Sequence, residues 1–439
     1  MLKAGWCGAV ALAVVLGSCQ WLGVGGSAVA QSDAQSGSVS GAASPQPRTI
    51  DPFPGMPPVV NSSNLYSEIG PQHLRADVAQ DLERVYVPDR ISGDVTVIDP
   101  KLMKVVGRFR VGVNPQHIVP SWDLRTLWVV NNAENRSNGS VVPIDPRTGK
   151  HGQPIAVDDP YNMYFTPDGQ SAIIVAEESE RLDFRDPHTM ALQWSLPTPG
   201  CAGINHADFA IDGRYVLFTC EYGGGLVKVD LVHRQVMGYL TLNKDAPQPA
   251  RPAEIGPKES RALQIDPTTG FPICAAGTGM PQDIRASPDG KTFFVADMLA
   301  DGVYLVDGDN FAQVGFIPTG RGAHGLYPSR DGTKLYVANR GSHKVAGRRH
   351  GPGGVSVIDF ATMKVVANWS IPGGGSPDMG NVSADGRWLW LSGRFDNVVY
   401  RFDTSSGAVV EIPVGREPHG LTVWPQPGRY SLGHTGNLR

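Results

Sequence analysis

Leu335-Tyr336-Val337-Ala338-Asn339-Arg340-Gly341, followed by Gly354-Val355-Ser356-Val357-Ile358-Asp359, is a phrase that returns in variant form along nearly the whole chain. Val85-Tyr86-Val87-Pro88-Asp89-Arg90 leads to Val95-Thr96-Val97-Ile98-Asp99, and Leu127-Trp128-Val129-Val130-Asn131-Asn132 leads to Val141-Val142-Pro143-Ile144-Asp145. Further copies begin at Ile173, Val216, Phe293 and Leu389. The turns ahead of the copies, at Trp122-Asp123, Asp168-Gly169, Asp212-Gly213, Asp289-Gly290, Asp331-Gly332 and Asp385-Gly386, are spaced by 45, 44, 77, 42 and 54 residues. A period just above forty is the length of one four-stranded propeller blade, so the two long intervals hold insertions rather than missing blades.

Each unit reads as a short apolar run, an Asp-Gly turn, an alternating strand ending in a polar pair, a Gly, a strand closing on Asp, and a last strand. Asp-Gly between two alternating runs is a strong hairpin signal, and little in the units has helical spacing. The chain is therefore expected to be all-β. It enters at Arg84 with strands that lack an inner partner, and Pro418-His419-Gly420-Leu421-Thr422-Val423-Trp424 is an inner strand without outer ones. Joined, they complete one blade. Six internal blades plus this shared one predict a seven-bladed β-propeller whose ring is closed by N- and C-terminal strands, leaving no open edge.

In these repeats, hydrophobic pattern and Asp-Gly turns the chain resembles the YVTN-repeat, or YncE-like, family of bacterial β-propellers, over roughly Arg84 to Trp424. The resemblance implies the propeller fold. For function it implies only a range, because relatives include haem-binding propellers of the haem d1 type, amine dehydrogenase subunits, lyases and surface proteins. Chemistry has to come from this chain's own residues.

Outside the repeats, residues 1–30 carry one charge, Lys3, an apolar run from Ala4 to Leu16, and Ala28-Val29-Ala30 before Gln31. This pattern predicts a signal peptide and a periplasmic or extracellular protein with no transmembrane span in its mature form. Leu16-Gly17-Ser18-Cys19 resembles a lipobox and offers Cys19 as an alternative lipidation site. Residues 31–60, rich in Ser, Gly, Ala and Pro, read as a disordered tether, 61–427 as the propeller and 428–439 as a tail. Removing the leader takes away Lys3 and moves the formal net charge from −4 to −5. A mildly acidic chain without a long basic run gives no reason to expect nucleic acid, and the chain is expected to be a monomer. Three cysteines remain, Cys201, Cys220 and Cys274, which predicts one disulfide and one other thiol. The simpler arrangement is a disulfide pinning the insertion that Cys274 closes, and the alternative is thiolate ligation.

The start of each innermost strand faces the central channel at one mouth. Aligned on the turns, the first such column holds Gln116, Tyr161, Asn205, Gln282, His324, Asp378 and His419, and the next holds His117, Asn162, His206, Asp283, Gly325, Met379 and Gly420. Imidazoles and carboxylates suit a transition metal or an axial haem ligand. His324 and His419 lie one residue out of register with His117 and His206, and successive strand residues point to opposite sides, so all four need not converge. The second strands return to the same mouth with Glu177, Glu178, Glu221 and Asp297 on one side and Arg340, Arg394 and Arg90 on the other. The mouth should be bipolar, its acidic sector suited to a cation and its arginine sector to a carboxylate or phosphate.

Insertions at 243–279 and 343–353 are long enough to act as a lid and a basic edge. There is no Gly-x-Ser-x-Gly, P-loop or His-Glu-x-x-His, and the absence of Cys-x-x-Cys-His excludes covalent c-type haem. The sequence thus points to an exported propeller binding a small molecule, a transition metal or a non-covalent cofactor such as haem in its funnel, with redox or lyase chemistry open to it. The competing reading is a scaffold that binds an envelope protein through its rim.

Overall fold

Every strand of the ring follows from the repeat. In the computed structural model, which describes residues 50–133, 138–245, 264–265, 272–273, 279–347 and 351–439, seven four-stranded antiparallel sheets surround a central channel. We number the blades in chain order from Pro115. Blade 7 pairs Thr422–Trp424 with Arg84–Asp89, so the first and last strands close the ring, as the orphan strands require. Among the described residues there are only two three-residue 3-10 turns and no helix long and apolar enough to cross a membrane.

Burial decreases outward from the channel. The second strand of blade 2, Ala172–Ala176, is buried along its whole length, whereas Lys364–Ser370, an outermost strand, alternates between exposed and half-buried. Inner strands have a neighbouring blade on both faces, so their sequences run apolar without alternation. Each fully buried Val, Ile or Leu contributes about 1.5–3 kcal/mol. At the end of the channel opposite the mouth, the glycines of five Asp-Gly turns adopt φ of +67° to +77°, and Leu124 takes that conformation in blade 1 at +65°.

Three expectations about the chain ends and insertions are revised or bounded. Residues 50–60, assigned to the tether, are held against the propeller: the Phe53 amide donates to Asp212 O at 2.7 Å, and farther along the Leu65 amide donates to Pro288 O at 2.6 Å. Residues 50–82 form a strap across the end opposite the mouth, because Leu65, Tyr66, Ile69 and Val78 have apolar surface to bury there. The leader, Cys19, tether residues 31–49, most of the insertion at 243–279, and Cys274 lie outside the described residues.

The disulfide joins Cys201 to Cys220 within blade 3, so these two sulfurs neither pin an insertion nor act as thiolates. The residue before one strand and the end of the next lie side by side at the mouth, with Cα atoms 4.8 Å apart.

Candidate functional site

A β-bulge interrupts the innermost strand of each of blades 1 to 6 at the two-column position: between Pro115 and His117, Pro160 and Asn162, Ile204 and Ala207, Pro281 and Ile284, Ala323 and Leu326, and Pro377 and Gly380. A bulge suspends the two-residue alternation and re-aims side chains. The separation of the histidines that alternation allows therefore does not occur. Ring centroids lie 5.3 Å apart for His117 and His206, 4.8 Å for His117 and His419, 5.9 Å for His324 and His419, and 6.5 Å for His206 and His324.

A fifth histidine joins them from outside the repeats. The tail 428–439 neither frays nor crosses the mouth. It folds back on itself through a Ser431–Leu438 bridge and enters the channel from the opposite end. Gly433 bridges Tyr164, and the Phe165 amide donates to Leu432 O at 3.0 Å. Asn437 Nδ2 and Arg439 Nη2 both donate to Asp208 Oδ1, at 3.0 and 3.1 Å. At the hairpin tip the His434 ring lies 4.5 Å from His206 and 4.9 Å from His117.

The funnel has two tiers. In the upper tier Asp378, fully buried, is the hub. Its Oδ1 accepts from Arg340 Nη2 at 2.6 Å and lies 3.0 Å from His324 Nδ1, and its Oδ2 lies 2.8 Å from His419 Nδ1 and 3.7 Å from Arg394 Nη1. Arg340 Nη2 also meets His324 Nε2. Burial alone would raise the Asp378 carboxyl, but Arg340, His324 and Arg394 outweigh it and hold it below the usual range. Burial, with Arg90 and Arg340 close by, pushes Arg394 down to about 10. Arg90 is anchored by Glu417 at 2.6 Å.

The expected charge segregation is present. Across the mouth from the arginines, Glu221 accepts from Asn205 Nδ2 at 2.7 Å and Gln282 Nε2 at 3.1 Å, and burial raises its carboxyl. Glu177, on the same side, accepts from Asn132 Nδ2 at 3.4 Å. Asp297 is not part of this wall. Its Oδ1 accepts the amides of Met280, Leu299 and Ala300, so it organises its own turn. Gln116, Tyr161, Glu177, Glu221, His324, Arg340, Arg394 and His419 line a narrow recess of about 330 Å³ measured to its open rim. Val345, from the second insertion, forms part of the rim.

The lower tier holds His117, His206, His434, Asn162 and Asp283. Asp283 is saturated: it accepts from the Ile284 amide and Arg285 Nη1, each at 2.9 Å, and from the Leu326 amide at 2.9 Å. Burial would raise its carboxyl, but Arg285 and His434 hold it well below the usual range. Burial lowers all five funnel histidines, so they are neutral at pH 7. Gly420 is required at the closing segment, because a Cβ there would run into His117 Nδ1. Among the described residues the mouth has no room for a tetrapyrrole, and the tail hairpin fills the channel beneath it; the residues do not fit the non-covalent haem that the sequence left open.

Residues 272–427 match the family model described as YNCE-like beta-propeller. No curated protein matches the sequence. Among solved structures, hydrazine synthase of Kuenenia stuttgartiensis aligns at 17% identity with a TM-score of 0.53, covering 76% of this chain and 98% of that one. A putative 6-phosphogluconolactonase from Bacteroides uniformis aligns at 17% and 0.54, covering 77% and 99%. Dihydro-heme d1 dehydrogenase NirN in complex with DHE aligns at 14% and 0.52, covering 77% and 75%. At such identities these structures share the fold alone. The family match is thus a likeness over residues 272–427, about a third of the chain, and the seven-bladed ring extends the propeller fold beyond it.

Proposed function

We propose that the upper tier binds a small anion, a carboxylate or phosphate of a few non-hydrogen atoms, between Arg340 and Arg394. The observation that carries this reading is the placing of Arg394. Its guanidinium is buried among two other arginines, its Nε lacks a hydrogen bond, and its carboxylate contacts are 3.7 and 3.8 Å long. A buried cation crowded by like charge gains most from an incoming anion. Neutral His419 beside that anion, oriented by Asp378 at Nδ1, can accept a proton at Nε2, which favours lyase-type proton transfer over redox chemistry. The protein is read as exported, on its leader sequence and on the Cys201–Cys220 disulfide, which suits an oxidising compartment.

The test is a thermal-shift and calorimetric screen with acetate, succinate, glycine and inorganic phosphate. At least one should bind the wild-type protein, and Arg394→Gln should lose that binding while remaining folded. If a folded wild-type protein binds none of them, the anion reading fails and the rim-binding scaffold takes its place.

A further inference from the structure

Beneath the mouth, three imidazoles converge without carrying out any structural task that requires three of them. His117, His206 and His434 are fully buried, and one ligand nitrogen from each can be chosen so that all three lie within 4.8 Å of one another. Both ring nitrogens of His117, Nε2 of His206 and Nε2 of His434 have no hydrogen-bond partner, the nearest acceptor to the last being Asp283 Oδ1 at 3.6 Å. Burying a polar nitrogen without a partner costs about 1–3 kcal/mol, and here each of three converging rings carries at least one. A folded protein tolerates such a concentration of unsatisfied donors and acceptors when something else satisfies them.

We propose that His117, His206 and His434 form a transition-metal site, with the C-terminal hairpin delivering the third ligand. Imidazole without thiolate suits Zn²⁺, Cu²⁺ or Co²⁺ rather than Mg²⁺ or Ca²⁺, which take oxygen. Three histidines leave a fourth tetrahedral position open to water or a small ligand. Bound nitrogens would stand about 3.4 Å apart at normal metal–nitrogen lengths, so the rings need to draw in by about 1 Å. His324 and His419 are less suited to the set, because Arg340 meets Nε2 of His324 and the Asp378 carboxylate lies against Nδ1 of both rings.

Asn162 sets the proton positions. Its Nδ2 lies 3.1 Å from Nδ1 of both His206 and His434, while its Oδ1 accepts the Met163 amide at 2.8 Å. In that state the two imidazole protons sit on Nε2. A metal bound at Nε2 moves each proton to Nδ1, releasing none to solvent, and the Asn162 amide turns to present its oxygen to both rings, giving up the bond it accepts from the Met163 amide. Asn162 is thus a positioning residue rather than a ligand.

The inference stands on these residues and not on the anion reading, whose arginine is left intact in every variant used. The full chain, stripped with chelator, is titrated with Co²⁺ and followed by its visible d–d bands, then with Zn²⁺ as competitor. One equivalent of Co²⁺ with tetrahedral bands, displaced by one equivalent of Zn²⁺, is expected. His206→Ala and His434→Gln should each abolish it, Asn162→Leu should weaken it by about tenfold, and exposed His233→Ala should leave it unchanged. Absence of one-equivalent binding in folded wild-type protein overturns the proposal, whatever the variants do. So does binding that persists in folded His434→Gln, which assigns the metal to another site.

Discussion

His419 Nδ1 and Asp378 Oδ2 stand 2.8 Å apart, tying the segment that closes the ring to the innermost strand of blade 6. The same carboxylate holds Arg340 and stands opposite Arg394, so Asp378→Asn would leave two buried guanidiniums under-compensated. The expected cost is about 3–5 kcal/mol in urea unfolding at pH 7.5. The sign with pH is fixed by the depressed carboxyl: its contribution is complete above the unfolded value near 4 and is lost as pH falls below it. The gap between wild type and variant should therefore narrow in acid.

Asp159 behaves in the opposite sense. Burial raises its carboxyl to about 6, despite two hydrogen bonds from Ser179, so the folded state pays for ionisation that the unfolded chain does not. Its φ of +48° also favours Asn. Asp159→Asn should stabilise the protein by about 2 kcal/mol at pH 8, and the gain should shrink through the window from 6 to 4. Melting temperatures at the two ends of that window check it.

Reducing the Cys201–Cys220 bridge releases a loop between residues 19 apart in sequence. Loss of about 3 kcal/mol is expected on the chain-entropy account. A Cys201→Ser/Cys220→Ser double variant, compared with the reduced wild type by denaturant unfolding, should show the same deficit. An unchanged midpoint would mean that blade 3 does not depend on the bridge.

Trp424 is fully buried at the closing strand and donates from Nε1 to Asp81 Oδ2 at 2.8 Å. Trp424→Ala should lower stability by about 3–5 kcal/mol, because it opens a cavity where the ring is joined. The exposed Val410→Ala in the outermost strand of blade 6 should stay within about 0.5 kcal/mol of wild type.

The fold was legible because each blade repeats one pattern and errors at any copy are corrected by the others. Even closure could be read, since Arg84 and Trp424 each begin or end a blade that lacks its remainder. The site was legible as columns of residue types but not as geometry. Bulges carry no residue signature here, so the approach of His117 and His206 to His324 and His419 could not be read from strand alternation. His434 lies outside every repeat and has no column to be read from. Asp297 looked like Glu177 and Glu221 in its column, yet a short carboxylate reaches its own turn amides where a longer one reaches across the mouth.

The hairpin of residues 428–439 and the strap of residues 50–82 turn what would be a tube into a cup. A vessel with a single opening imposes an order of filling. Whatever occupies the floor beside His434 has to pass Arg340 and Arg394 first and cannot leave while the opening is taken, so an occupant of the upper tier acts as a cork on the lower one. Exchange at the floor should then slow as the upper tier saturates, a kinetic signature that two independent pockets would not produce.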